Sequence, residues 1–97
     1  MRLTADEIAI IKSLVAQHLG PTAEVRLFGS RVDDGARGGD IDLLVTVPEP
    51  VPGMAELRLN AALEAALGDQ RVDLLIHATP DTPRPIERIA YRDGVVL

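Results

Sequence analysis

Two short runs, Ile41-Asp42-Leu43-Leu44-Val45 and Val72-Asp73-Leu74-Leu75-Ile76, constrain this chain more than anything else in it. Each is rich in β-branched and aliphatic residues and reads as a strand destined for burial, yet each carries an acid at its second position. A carboxylate inside such a run needs a partner or a function to offset its desolvation. Asp40 stands two residues before Asp42. On a strand, both carboxylates therefore project from one face, about 6.5–7 Å apart along the backbone. If the two runs are neighbours, Asp40, Asp42 and Asp73 converge at one edge of a sheet. Three carboxylates there repel one another unless cations neutralise them. Two Mg²⁺ ions roughly 3.5–4 Å apart would do so, and would also stabilise an in-line phosphoryl displacement.

The remaining sequence alternates helix and strand. Thr4-Ala5-Asp6-Glu7 has the form of a capping box. Ile8, Ile11, Val15 and Leu19 then recur at helical spacing until Gly20-Pro21, which predicts a helix over 5–19. Residues 24–28 alternate polar and apolar as a short strand, and Gly29-Ser30 breaks it. Residues 31–39, with Asp33, Asp34, Gly35, Gly38 and Gly39, have loop composition, with one helical turn after Ser30. A strand is expected over 40–47, followed by a connection marked by Pro48, Pro50 and Pro52. Residues 54–67 are strong helix formers, with Gly68 placed as the C′ residue. A third strand over 71–76, a short helix over 86–92 closed by Asp93-Gly94, and an edge strand at Val95-Val96-Leu97 complete the chain. The order α-β-β-α-β-α describes an α/β (α+β) fold: a small mixed sheet of three to four strands flanked by helices. The 97 residues make one domain, 1–97.

Composition removes several kinds of function. With no cysteine, disulfide frameworks and thiolate zinc sites are excluded. His18 and His77 lie far apart in sequence, so any metal should be a hard cation held by oxygen ligands. The net charge of −5, from 15 acidic and 10 basic side chains, argues against direct nucleic-acid binding, which needs a basic face. Phe28 and Tyr91 are the sole aromatics, too few for a base-stacking platform. His18, near a helix C-terminus, reads as surface, and Tyr91 as packing. The N-terminal segment lacks the apolar core of a signal peptide, and no apolar run approaches the ~20 residues needed to span a bilayer. A cytoplasmic location is the expectation.

Gly29-Ser30 ends one strand and opens a helical turn. Glycine lets the backbone approach an anion, free amides at a helix start point at phosphate oxygens, and the Ser30 hydroxyl adds a donor. The motif Phe28-Gly29-Ser30-Arg31, followed nine residues after Ser30 by Asp40-Ile41-Asp42-Leu43-Leu44-Val45, resembles the signature of the DNA polymerase β-like nucleotidyltransferase superfamily. The nearest likeness is the minimal nucleotidyltransferase family, and it extends from the leading helix to Gly94-Val95-Val96-Leu97. That resemblance implies that Gly29 and Ser30 bind the nucleotide triphosphate and that Asp40 and Asp42 hold Mg²⁺. It implies that Asp73 is the third carboxylate, associated with the metal that activates the acceptor hydroxyl. Many relatives carry Ser immediately before the first aspartate, where this chain has Gly39; the metal ligands are untouched by that change. Arg31 is a candidate for phosphate or an acidic partner, whereas Arg37 reads as a solvated loop residue.

Resemblance to the minimal family further implies AMP transfer from ATP to a tyrosine of a helical HEPN-domain toxin, with the chain as antitoxin in a hetero-oligomer. A chain of this size would then leave its partner to supply the acceptor. Two other readings share the fold: an antitoxin that neutralises by contact alone, and one subunit of a small-molecule transferase of the aminoglycoside kind.

Overall fold

The computed structural model describes residues 3–32 and 39–97, with the backbone alone at Ser30. The elements are α1 (Ala5–Leu19), β1 (Glu24–Phe28), a 3-10 turn (Gly29–Val32), β2 (Ile41–Val47), α2 (Gly53–Ala66), β3 (Val72–Ala78), α3 (Pro85–Asp93) and β4 (Val95–Val96). The sequence-based boundaries agree with these to within one residue, apart from the third strand. That strand runs on through Ile76 to Ala78 and takes His77 into the sheet.

The four strands lie in the order β3-β2-β1-β4. β1 is antiparallel to both β2 and β4, and β2 is parallel to β3. A parallel pair needs a crossover; here the proline-marked connection and α2 supply it. The register sets Ile41 beside Val72, Asp42 beside Asp73 and Leu43 beside Leu74, so the two similar runs lie side by side, position for position.

Alternation along β2 divides the protein into two layers. Ile41, Leu43, Val45 and Val47 point to one face and pack with Ile11 and Val15 of α1 and Leu59 and Leu63 of α2. Leu44 points to the other face and joins Phe28, Leu75, Ala90 and Tyr91 beneath α3. Asp42 shares that second face, which a single short helix covers in part. An acid there lies next to solvent; one residue earlier or later, it would have entered the main core.

Local chemistry sets the helix ends. The Glu7 backbone N–H donates to Thr4 Oγ1 at 3.0 Å and the Thr4 N–H to Glu7 Oε1 at 2.9 Å, the reciprocal pair of a capping box. α2 gives way at Leu67 to Gly68, whose φ of 71° suits the left-handed C′ position. Within α3, the buried Glu87 reaches back to the Arg84 N–H at 2.8 Å and pairs with the Arg84 guanidinium at 2.7 Å.

A polar chain bolts α3 to the sheet. His77 Nε2–H donates to the Asp81 carbonyl (2.8 Å), because a carbonyl can only accept. In the neutral ring, Nδ1 then accepts from the Tyr91 hydroxyl (2.7 Å), which in turn accepts from Thr46 (2.6 Å). Both of these residues are thereby assigned to structure, in line with the packing role expected for Tyr91.

Candidate active site

The second face of the sheet presents its acids at one end. Across three strands, Phe28 of β1 pairs with Asp42 of β2, and Asp42 with Asp73 of β3. Adjacent strands lie about 4.8 Å apart, so Asp42 and Asp73 are held as neighbours by backbone hydrogen bonding. Asp40 immediately precedes β2, two residues from Asp42. The convergence expected for Asp40, Asp42 and Asp73 is therefore present in the fold.

Electrostatics records how closely they meet. The Asp42 carboxyl is pushed up to about 6, first by burial, then by the charges of Asp73 and Asp40, and finally by a hydrogen bond with Asp73. One proton shared against two neighbouring charges is the ordinary response of crowded carboxylates.

Gly29 lies against this group. Its φ is 76°, and a Cβ added there would collide with Asp42 Oδ2 and stand 3.1 Å from Asp42 Cγ. The position thus needs glycine twice over, for the left-handed backbone and for close approach of the 3-10 turn to a carboxylate. The Ser30 backbone continues that turn. The loop residues Asp33, Asp34, Gly35, Arg37 and Gly38 lie outside the described residues.

The Arg31 side chain is held within the domain. Its guanidinium donates to Gln70 Oε1 at 2.7 Å and, at the longer distance of 3.4 Å, to the Gly39 carbonyl. The Gln70 side-chain amide donates to Glu7 Oε2 (2.9 Å) and to the Leu67 carbonyl (2.8 Å). The Glu7 carboxyl is held below its ordinary range, chiefly by the Thr4 backbone N–H and next by Gln70. Arg31, Gln70 and Glu7 thus staple the turn bearing Gly29, the residue before Asp40, the approach to Asp73 and the start of α1. Gln70→Ala is expected to lower stability by about 1 kcal/mol, or roughly 4–8 °C in a domain this small. It should also speed amide exchange at Ile41 and Val72, measured by hydrogen–deuterium exchange; unchanged exchange would remove the staple from the account.

Arg71 is the residue that sequence reading passed over. Its Nε lies 3.6 Å from both Asp40 and Asp73, with the side chain 72% exposed. The signal was available: aligning the two similar runs places the residue before Val72 beside the residue before Ile41. Among the described residues, no three acidic or histidine side chains form a ready-made metal cage. The carboxylates are instead partly neutralised by this arginine.

A cleft of about 520 Å³ opens beside Asp42, lined by Phe28, Gly29, Val32, Ile86, Ile89 and Asp93 as well. Its volume is in the range of small-molecule sites, with apolar walls and a few polar groups at one end. Ile86 and Ile89 of α3, each 44% exposed, form the outer wall, a role that their helical pattern alone did not disclose.

A family model for the nucleotidyltransferase domain matches residues 8–95. The chain belongs to this family. Among relatives of this nucleotidyltransferase, the Haemophilus influenzae protein named Probable protein adenylyltransferase MntA is 38% identical over 78 residues, covering 79% of this chain and 68% of the relative. A chain in the structure of the tri-AMPylated Shewanella oneidensis HEPN toxin in complex with MNT antitoxin has a TM-score of 0.69 at 25% identity, covering 94% of this chain and 67% of that one. A toxin-antitoxin structure with AMP-PNP gives a TM-score of 0.75 at 23% identity, covering 97% of this chain and 72% of that one, and shares the fold. The nucleotidyltransferase fold expected from the sequence is thus shared with solved structures across nearly the whole chain. No helix among the described residues is long and apolar enough to cross a membrane.

Proposed function

We propose that this nucleotidyltransferase transfers AMP from ATP to a tyrosine hydroxyl of a HEPN-type toxin in the cytoplasm, acting as the antitoxin of the pair. The observation that carries the reading is the in-register placement of Asp42 and Asp73, with Asp40 adjacent and Gly29 packed on Asp42. The adenylyl group and the HEPN partner are suggested by the relatives, one named as a protein adenylyltransferase and another solved with an AMPylated HEPN toxin.

An all-carboxylate donor set, partly desolvated and only partly neutralised by the exposed Arg71, suits a hard divalent cation. Asp40, Asp42 and Asp73 would hold Mg²⁺, two ions in all, which would neutralise phosphate and carboxylate charge together. The chain's own groups do the rest. Gly29 and Ser30 bring backbone amides to the triphosphate, and the apolar walls of the adjacent cleft take the base. Asp73 accepts the proton of the incoming hydroxyl. The hydroxyl oxygen forms a bond to the α-phosphorus as the bond to the β-phosphate oxygen breaks. Pyrophosphate leaves with that electron pair, and the Asp73 proton passes to water. Positioning and electrostatic complementarity supply the acceleration.

The test uses the full chain, Mg²⁺, ATP labelled at the α- or the γ-phosphorus, and a HEPN-type protein from the same genome. Label is expected on the partner from α-labelled ATP alone, and not with Asp42→Asn. Label from γ-labelled ATP, or none from either, would reject adenylyl transfer.

A further inference from the structure

A second cleft, of about 330 Å³, opens between α2 and β3, with Asp73 in its lining where the first cleft has Asp42. Gly53, Glu56, Leu57 and Asn60 supply one wall, and Asp73 and Leu74 the other. β3 is the edge strand here, so no strand of this sheet covers its outer side. Along α2, Met54 and Leu57 are 60% and 66% exposed, and Asn60 continues their helical spacing. Its Oδ1 is buried without a hydrogen-bond partner, an acceptor left unused inside the domain.

Group transfer between two molecules needs two seats that meet at the reacting atoms. Asp42 lines the larger cleft with Gly29, Asp73 lines the smaller, and the two acids are register partners on adjacent strands. At about 330 Å³ the smaller cleft has room for a large side chain. Its lining holds two carboxylates, Glu56 and Asp73, and neither lysine nor arginine among the described residues; Arg71 reaches Asp73 from beside the cleft at 3.6 Å and leaves Glu56 as its outer charge.

We propose that the cleft between α2 and β3 seats the acceptor, a tyrosine carried on a basic segment of the partner protein. The aromatic ring packs between Leu57 and Leu74, the hydroxyl faces Asp73, and cationic neighbours meet Glu56. Met54, 60% exposed, extends the contact along the helix. The hydroxyl chemistry rests on the adenylyl-transfer reading; the docking surface rests on the cleft and its charge.

Leu57→Glu tests the surface at an exposed position, leaving the core intact, and Ile89→Glu does the same for the opposite cleft. Both are compared with the wild-type chain, using a HEPN-type protein from the same genome for calorimetric affinity, a fluorescent ATP analogue for nucleotide affinity, and α-labelled ATP for transfer. Leu57→Glu is expected to weaken partner binding and transfer at least about tenfold, as loss of a buried anchor does, while nucleotide affinity stays as in the wild type. Ile89→Glu is expected to weaken nucleotide binding and transfer at least about tenfold, while partner affinity stays as in the wild type. Wild-type partner affinity in Leu57→Glu overturns the proposal. So does a wild-type dimer, seen by sedimentation without partner, that Leu57→Glu dissolves. If the wild type transfers no label, the catalytic reading fails by itself. Partner affinity then still decides whether this cleft is the partner's seat.

Discussion

Asp42→Asn is expected to abolish adenylyl transfer and to make the protein more stable at neutral pH. The loss of transfer follows from removing the central of three neighbouring carboxylates; a fall of at least about 10²–10³-fold is the scale for losing one electrostatic group of a reaction centre. The gain in stability follows from the proton balance. Native Asp42 keeps its proton until about pH 6, because burial and the charges of Asp73 and Asp40 oppose ionisation. In the unfolded chain the same carboxyl ionises near its ordinary value of 3.8. Between these values the native state binds more protons, so the stability associated with Asp42 is complete below about pH 4 and lost as pH rises through 6. Asparagine cannot ionise and escapes that loss. The group is partly exposed, so solvent screening reduces the gain to the order of 1 kcal/mol at pH 7.5, or roughly 4–8 °C in Tm. Thermal melts at pH 4 and pH 7.5 check it: the two proteins should melt together at the lower pH and separate at the higher. A gain equal at both values would assign the effect to packing. Mg²⁺ with ATP should raise the Tm of the wild type alone, since ligand binding stabilises only a site able to hold it.

Gly29→Ala should be damaging out of proportion to one methyl group. The left-handed backbone costs about 1–2 kcal/mol for a residue with a Cβ. The added carbon also meets Asp42 Oδ2, so either the turn or the carboxylate must move. Nucleotide binding should fall at least about tenfold, with a displacement of this kind costing far more than its stability effect suggests. A double-mutant cycle with Asp42→Ala separates the causes. Removing the carboxylate should relieve the collision and leave the backbone cost alone. A penalty unchanged by Asp42→Ala would mean that Gly29 serves only its own φ.

Much of this arrangement was legible in the sequence, for identifiable reasons. Helices and strands announced themselves because the hydrophobic period changes between 3.6 and 2, with Gly20-Pro21, Gly29-Ser30 and the prolines at 48–52 marking the breaks. The site was legible because acids inside apolar strands are costly unless used, and because two matching runs at Ile41 and Val72 favoured one register. Arg71 was passed over, although the same register places it beside Asp40. Other features were not local enough to read. Arg31 meets Gln70 39 positions away, and Gln70 meets Glu7 63 positions away, contacts that only the folded chain creates. His77 looked like a residue beyond a strand end, because nothing local reveals that the Tyr91 hydroxyl and the Asp81 carbonyl will receive it. The cleft walls from α2 and α3 were hidden for a related reason: Leu57, Ile86 and Ile89 fit ordinary helical patterns whether covered or exposed.

The most direct measurement is tandem mass spectrometry of the HEPN-type partner after incubation with ATP, Mg²⁺ and either the wild-type chain or Asp40→Asn/Asp42→Asn, with the partner's toxicity followed in parallel. The account predicts AMP on one or more partner tyrosines with the wild type, none with the double variant, and inhibition that tracks the modification. An unmodified partner inhibited equally by both chains would contradict it and make the protein an antitoxin that acts by contact.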